Sequence, residues 1–254
     1  MLFVVNLLKS QYGVSVPILK GSFESQIVIV TGRISGLGFE AARHAVRLDA
    51  AKVILACRTI SKGVEARRLI VESTNKTGVI EVWNLDFPSY ASVREFDFNK
   101  ASTLPRLDVL LENAGISTRR FELSEDNEST MSTNILSTFF LAFLLLPRLK
   151  ETARKYGGKG LSGRYFDALN DERKANMSTR DAVSKLLEIL ILRQIVSMHC
   201  PPGYPVVLNL VAPGFCRSGL AKEMGVLVHA MYYALDARTA ELGGHCLILA
   251  AQAG

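Results

Sequence analysis

The stretch QIVIVTGRISGLGFEAARHAVR (26–47) constrains this chain more than any other. The run 26–31 is rich in β-branched residues and reads as a buried strand, and 39–50 carries the periodicity of an amphipathic helix. Gly32, Gly36 and Gly38 lie between them. Glycines at this spacing allow a tight turn, close approach of backbone to a ligand, and close packing of helix on strand. The helix start behind them offers free N–H groups and the positive end of the helix dipole. Strand, glycine turn and helix in that order predict a cradle for a phosphate or pyrophosphate.

The alternation then repeats. KVILACR (52–58), VIEVWNLD (79–86) and LDVLLENAG (107–115) read as further strands, with SKGVEARRLIVESTN (61–75) and SVREFDFNKAS (92–102) as helices between them. Continuous apolar strands separated by helices predict an α/β fold, a doubly wound parallel sheet covered on both faces. A chain of 254 residues suits a single such domain, expected over 21–254 behind an N-terminal extension 1–20. The rhythm breaks after 150. Two long helices, 130–154 and about 179–198, follow each other across a glycine-rich and then charged segment, before PVVLNLVAPG (205–214) reads as a returning strand. The sheet is therefore expected to lack its fifth strand and, because the chain ends within a helical pattern, its last.

The net charge of +6 suits an anionic ligand, but the basic residues are scattered and nucleic acid is not an expected partner. The four cysteines and four histidines show no metal-ligand spacing, so no metal is expected. The apolar run 135–147 is short of the ~20 residues a membrane span needs, which argues against stable membrane insertion. MLFVVNLLK at the start lacks a basic lead and a cleavage site, and a cytoplasmic location is expected.

TGRISGLG (31–38), NAG (113–115), Asn134 in STN, Lys185 in VSK and APG (212–214) occur in one order. In that order the chain resembles the short-chain dehydrogenases/reductases, and in wording their retinol-dehydrogenase-like and fungal secondary-metabolism branches. The resemblance implies a Rossmann-type sheet, a nicotinamide cofactor, and hydride transfer at a carbonyl or alcohol carbon of a small hydrophobic substrate. It implies that Gly32, Ile34, Gly36 and Leu37 line the pyrophosphate and nicotinamide ribose, with Gly38 packing the turn. It further implies that Asp86 meets the adenine, that Asn113 braces the central strands, and that Pro213 and Gly214 shape the nicotinamide pocket. A homodimer through helices 135–154 and 181–198 is implied too. Where an acidic residue would bind the free 2′-hydroxyl of NAD, this chain has Arg58, with Arg33 and Lys62 nearby. A guanidinium pairs well with a 2′-phosphate, so NADP is expected over NAD.

At the reaction centre the family uses a tyrosine as proton donor, a lysine four residues on, a serine on the fifth strand and an asparagine. Asn134 and Lys185 match. The tyrosine position holds Asp181, and the serine-bearing strand is absent; Ser162 and Tyr165 are the poor substitutes at hand. A carboxylate one helical turn from an ammonium is expected to be ionised at neutral pH and to donate a proton badly. Three readings stay open: an NADP-dependent oxidoreductase, a non-redox relative (isomerase, dehydratase or cyclase) with Asp181 as base, and a truncated inactive relative.

Overall fold

The computed structural model describes residues 16–32, 35–156, 180–201, 204–217 and 236–252. Four strands, β1 (Ile27–Thr31), β2 (Lys52–Cys57), β3 (Ile80–Asn84) and β4 (Val109–Leu111), form one sheet in the order β3-β2-β1-β4. All pairings are parallel: Val28 stands opposite Val53 on one side and Val109 on the other. Between the strands run α1 (Leu37–Arg47), α2 (Ile60–Thr74) and α3 (Tyr90–Asn99). The turn after α2 closes on Asn75 in the left-handed conformation, a region asparagine tolerates better than most residues. Ser89 caps α3 by accepting the Ser92 N–H.

Strand side chains alternate between two cores, as a period of two requires. Ile27, Ile29, Ile54 and Ala56 pack with Leu85, Phe96, Leu141 and Leu145 on one face. Val28, Val30, Val53 and Leu55 pack with Ala41, Ala45, Ile70 and Ile248 on the other. Burying each large aliphatic side chain contributes roughly 1.5–3 kcal/mol. Helix α4 (Thr138–Tyr156) covers the first face, preceded by a short helix, Ser129–Met131, and one π-helical turn, Ser132–Ser137. Taken together, Ser129–Tyr156 is long and apolar enough to cross a membrane, more than the run 135–147 suggests, but most of it is buried within the protein. Helix α5 (Arg180–His199) packs on α4 through Ile195 and Leu146, and α6 (Ala240–Gln252) lies on α1. A side chain at Gly244 would meet the Ala41 backbone N at 2.7 Å, so the α1–α6 contact requires glycine there.

The expected strand 107–115 is shorter than its apolar run. Asn113 N–H turns back onto the Leu111 carbonyl at 3.0 Å, which ends β4. The expected strand at 205–214 does not form: the described residues there pair with no other strand. The cause is geometric. Among the described residues no strand stands between β4 and this segment, so neither finds a ladder partner on that side. Instead, Val109–Leu111 and Val206–Val211 line opposite parts of a cavity of about 810 Å³. The segment is held by packing, with Val206 on the α4 side of the sheet and Leu208 on the α4–α5 contact, and by the Asn209 amide donating to the Ala250 carbonyl at 2.7 Å.

Candidate active site

The site gathers at the C-terminal ends of β1 and β4, where open parallel sheets bind ligands. Gly32 follows β1 with φ +99°, and a Cβ there would lie 2.5 Å from the Ala114 Cα. Both facts demand glycine and bring the turn against the NAG segment. Thr31 and Asn113 lock the contact. The Asn113 amide donates to the Thr31 carbonyl at 3.1 Å, and the Ala114 N–H donates to Thr31 Oγ1 at 3.3 Å. Gly36, at φ +79°, stands at the N-cap of α1 with no side-chain cap bond, and Gly38 is buried. The first N–H groups of α1 are thus not spent on a capping side chain, which fits an anionic pyrophosphate. Leu37 opens α1 and lines the cavity. Arg33 and Ile34 lie outside the described residues.

At the end of β2, the Arg58 side chain is exposed and its Nε lies 3.9 Å from Asp86 Oδ1. That Asp86 oxygen is sealed from solvent and has no hydrogen-bond partner among the described residues. Both residues follow strands of the sheet on the side where the adenosine is expected, Arg58 exposed and Asp86 close to it.

Asn134 occupies the π-helical turn, a local widening common at functional sites. Its amide is fully committed: Oδ1 accepts the Ile116 N–H at 2.8 Å, and Nδ2 donates to the Ile116 carbonyl at 3.0 Å and to Ser184 Oγ at 2.9 Å. Ser184 in turn donates to the Asp181 carbonyl at 2.7 Å. Gly115 is where the groups meet, since a Cβ there would be 3.4 Å from Asn134 Oδ1 and 3.9 Å from Lys185 Nζ. Asn134 and Lys185 therefore meet at Gly115, Ser184 links Asn134 to the Asp181 backbone, and Asp181 and Lys185 line the cavity. Pro213 also lines it; its carbonyl accepts from Arg238 at 3.0 Å, and Gly214 turns the chain at φ +82°. Ser162 and Tyr165 lie outside the described residues.

At Asp181 burial acts alongside the charge of Lys185. Lys185 bonds Glu188 at 2.6 Å rather than Asp181. Burial raises the Asp181 pKa, and the lowering influence of Lys185 is the smaller effect. The carboxyl thus holds its proton more readily than a solvated aspartate. Burial likewise raises Glu188. It pushes Glu112 well above the ordinary carboxylate range, and the charge of Glu188 adds to that shift. Sequence reasoning missed Glu112, Ser184 and Glu188. A charge closing an apolar strand run, and a glutamate three residues past the lysine, were the signals available. Away from this site, Glu40, His44 and Glu241 bring ligand atoms within 4.8 Å of one another, but Arg43 and Arg47 reach Glu241 at 3.4 and 3.3 Å and supply the counter-charge.

A parallel sheet of this order, with an uncapped glycine turn after its first strand, defines the dinucleotide-binding Rossmann-type class. Comparison with known proteins gives the family. The family model described as short chain dehydrogenase matches residues 26–159. A short chain dehydrogenase of Emericella nidulans, atnD, is 40% identical, covering 99% of this chain and 87% of its own. The short chain dehydrogenase/reductase dmxR8 of a Cryptosporiopsis species is 36% identical over 98% of this chain and 84% of its own. Among solved structures, a 3-oxoacyl-(acyl-carrier-protein) reductase of Agrobacterium tumefaciens with NADP bound shares the fold at a TM-score of 0.66 and 20% identity, with 90% of this chain and 88% of that one covered. The chain belongs to the short-chain dehydrogenase/reductase family of oxidoreductases, which bind a nicotinamide cofactor. The alignment with atnD spans 275 positions against the 254 residues here, so at least 21 of them face gaps in this chain.

Proposed function

We propose that the chain is an NADP(H)-dependent oxidoreductase acting slowly on a carbonyl or alcohol carbon of a small hydrophobic substrate. The observation that carries this reading is the convergence of Gly115, Asn134 and Lys185 beside a glycine turn with an unspent helix N-terminus. A bound nicotinamide supplies or accepts the hydride. The chain's own residues do the rest. Gly32 and Gly36 admit the pyrophosphate, Arg58 faces the 2′-phosphate, and Asn134 fixes the loop at Ile116 against α5. Asp181, half-buried and with its pKa raised by burial, is the candidate proton donor to a forming alkoxide. Turnover is slow because, among the described residues, no serine stands at the family's carbonyl-orienting position. Calorimetric titration with NADPH and NADH tests the cofactor, and NADPH oxidation against ketones and quinones tests the reaction; equal affinity for both nucleotides overturns the NADP assignment.

The raised pKa of Asp181 also favours a second reading, a non-redox isomerase, dehydratase or cyclase in which the ionised Asp181 serves as base. Conversion of substrate without consumption of nicotinamide distinguishes it.

The same reading includes a homodimer. Leu186, Ile189, Leu190 and Val196 form an exposed apolar stripe along α5 at helical spacing, a face that a second copy would cover. Sedimentation of Leu190→Asp against the unmodified protein tests it, with a monomer expected for the variant. Four cysteines, none in a disulfide, suit a reducing, cytoplasmic setting.

A further inference from the structure

The Lys185 ammonium stands at the site, but it is already claimed. Its Nζ lies beside Gly115, 3.9 Å from where a Cβ would be, and donates to Glu188 Oε1 at 2.6 Å. Ion pairs of this i,i+3 kind contribute little where both partners are solvated. This pair is lopsided: the Lys185 side chain is 47% exposed and that of Glu188 only 16%. A carboxylate so enclosed regains little hydration if its partner leaves. Its surroundings add to the demand. Asp181 bears on Glu188 with a like charge, and Glu188 bears in the same way on Glu112, which follows β4. Arg106, the other cation lining the cavity, pairs with Asp108. Turning Lys185 away would therefore leave three carboxyl groups short of a counter-charge.

A ribose hydroxyl is a neutral acceptor and a carboxylate a charged one, and charge-assisted hydrogen bonds are the stronger. A nucleotide arriving at Gly115 meets a lysine whose best acceptor is taken and whose charge is largely cancelled. We propose that Glu188 is a positioning residue that holds the Lys185 ammonium back from the nucleotide, so that the nicotinamide ribose competes with a carboxylate and the cofactor is bound loosely. The inference rests on the functional reading above, which puts a nicotinamide cofactor beside Gly115 and Lys185. The nicotinamide ribose is common to NADPH and NADH. The restraint thus lowers affinity for both alike, and it leaves the choice between them to Arg58, at the other end of the nucleotide.

The test titrates NADPH and NADH calorimetrically into the full chain and into Glu188→Gln, a near-isosteric change that removes the charge, with thermal melts alongside. Glu188→Gln is expected to bind both nucleotides about fivefold or more tightly than the unmodified protein, as when a hydrogen bond to a charged group is released. The ratio of NADPH to NADH affinity should not move. A loosened fold would weaken binding, so a gain separates positioning from a structural role. Glu188→Asp keeps the carboxylate and should stay near the unmodified affinity. Lys185→Met should abolish the gain when combined with Glu188→Gln, because the two side chains act as one unit. In turnover, KM for NADPH should fall in Glu188→Gln with kcat no higher. Unchanged or weaker binding in Glu188→Gln, or a gain that persists without Lys185, overturns the proposal and leaves the oxidoreductase reading standing. An absence of nucleotide binding in every variant overturns both.

Discussion

Lys185 donates to Glu188, three residues further along α5, at 2.6 Å. The family's lysine is thereby turned toward a glutamate instead of the residue one turn before it. That single contact changes the meaning of Asp181. Its carboxyl feels burial more than the charge of Lys185, and its pKa is raised above that of a solvated aspartate. It also sets a competition, since any ribose hydroxyl seeking Lys185 must share it with Glu188.

The reaction centre gives the first prediction. The unmodified chain should oxidise NADPH slowly with ketones and quinones, and Asp181→Ala should slow it further. Asp181→Tyr alone should not restore a fast rate, because the orienting serine is missing. Tyrosine at 181 together with an inserted strand ending in Ser-Ser should do so. Rapid turnover by the single Asp181→Tyr variant would show that the serine is dispensable here.

Gly32→Ala tests the cradle. The added methyl meets the Ala114 backbone and the residue is held at positive φ, so two penalties combine. A loss of roughly 1–3 kcal/mol in stability is expected from the conformation alone. Urea denaturation measures it, and quenching of intrinsic fluorescence by NADPH should show cofactor affinity falling with it.

Arg58→Asp tests cofactor choice. The side chain is exposed and makes only a 3.9 Å approach to Asp86, so its removal should leave the fold intact. NADPH affinity should drop about tenfold or more while NADH affinity holds or rises, as expected for loss of a charge-assisted phosphate contact. Parallel losses for both nucleotides would place Arg58 outside the 2′-phosphate site.

Glu112 makes stability depend on pH. Its folded pKa is raised above the ordinary 4.5, so the neutral acid is favoured in the folded state. Its contribution is fully present below about 4.5 and is lost as pH rises through the folded value. Glu112→Gln should therefore stabilise the protein near pH 8, by about 1–3 kcal/mol for a buried unsatisfied group, and do little at pH 4. Thermal melts from pH 4 to 8 give the comparison, and a variant that is destabilised equally at every pH would contradict it.

The unpaired edge of β4 predicts modest stability. Net stabilities are only ~5–15 kcal/mol, and the β4 edge, which has no second ladder partner among the described residues, forgoes ladder bonds and core. The melting midpoint is expected below ~65 °C, the upper end of the usual mesophile range. Insertion of an intact relative's strand segment should raise it, and a cooperative melt above that temperature would show the sheet complete without it.

Much of this was legible from residue pattern. The runs at 27–31, 52–57 and 80–84 are continuous and β-branched, and the strands they form depend on neighbours that are also present. The glycine turn was legible because its demands are steric and local. PVVLNLVAPG read equally well as a strand, and yet it pairs with no strand among the described residues, because a strand is a property of two segments and no described neighbour stands beside it. The cavity chemistry was the least legible. The ionisation of Asp181 depends on how deeply α5 buries it and on which carboxylate captures Lys185, and neither is written in the spacing of residues 181 and 185 alone.

The segment 206–211 is anchored by side chains and one amide bond, whereas β1 and β2 are anchored by ladders on both sides. The molecule should therefore breathe at two rates. Amide deuteration would find the N–H groups of Val28, Val30, Val53 and Leu55 protected up to global opening, while those of Val207 and Leu210, both partly exposed, exchange through small local excursions. Each such excursion widens the cavity that Val206–Val211 helps to wall. A segment without a ladder among the described residues thus gives the ligand chamber one wall that opens far more often than the protein unfolds.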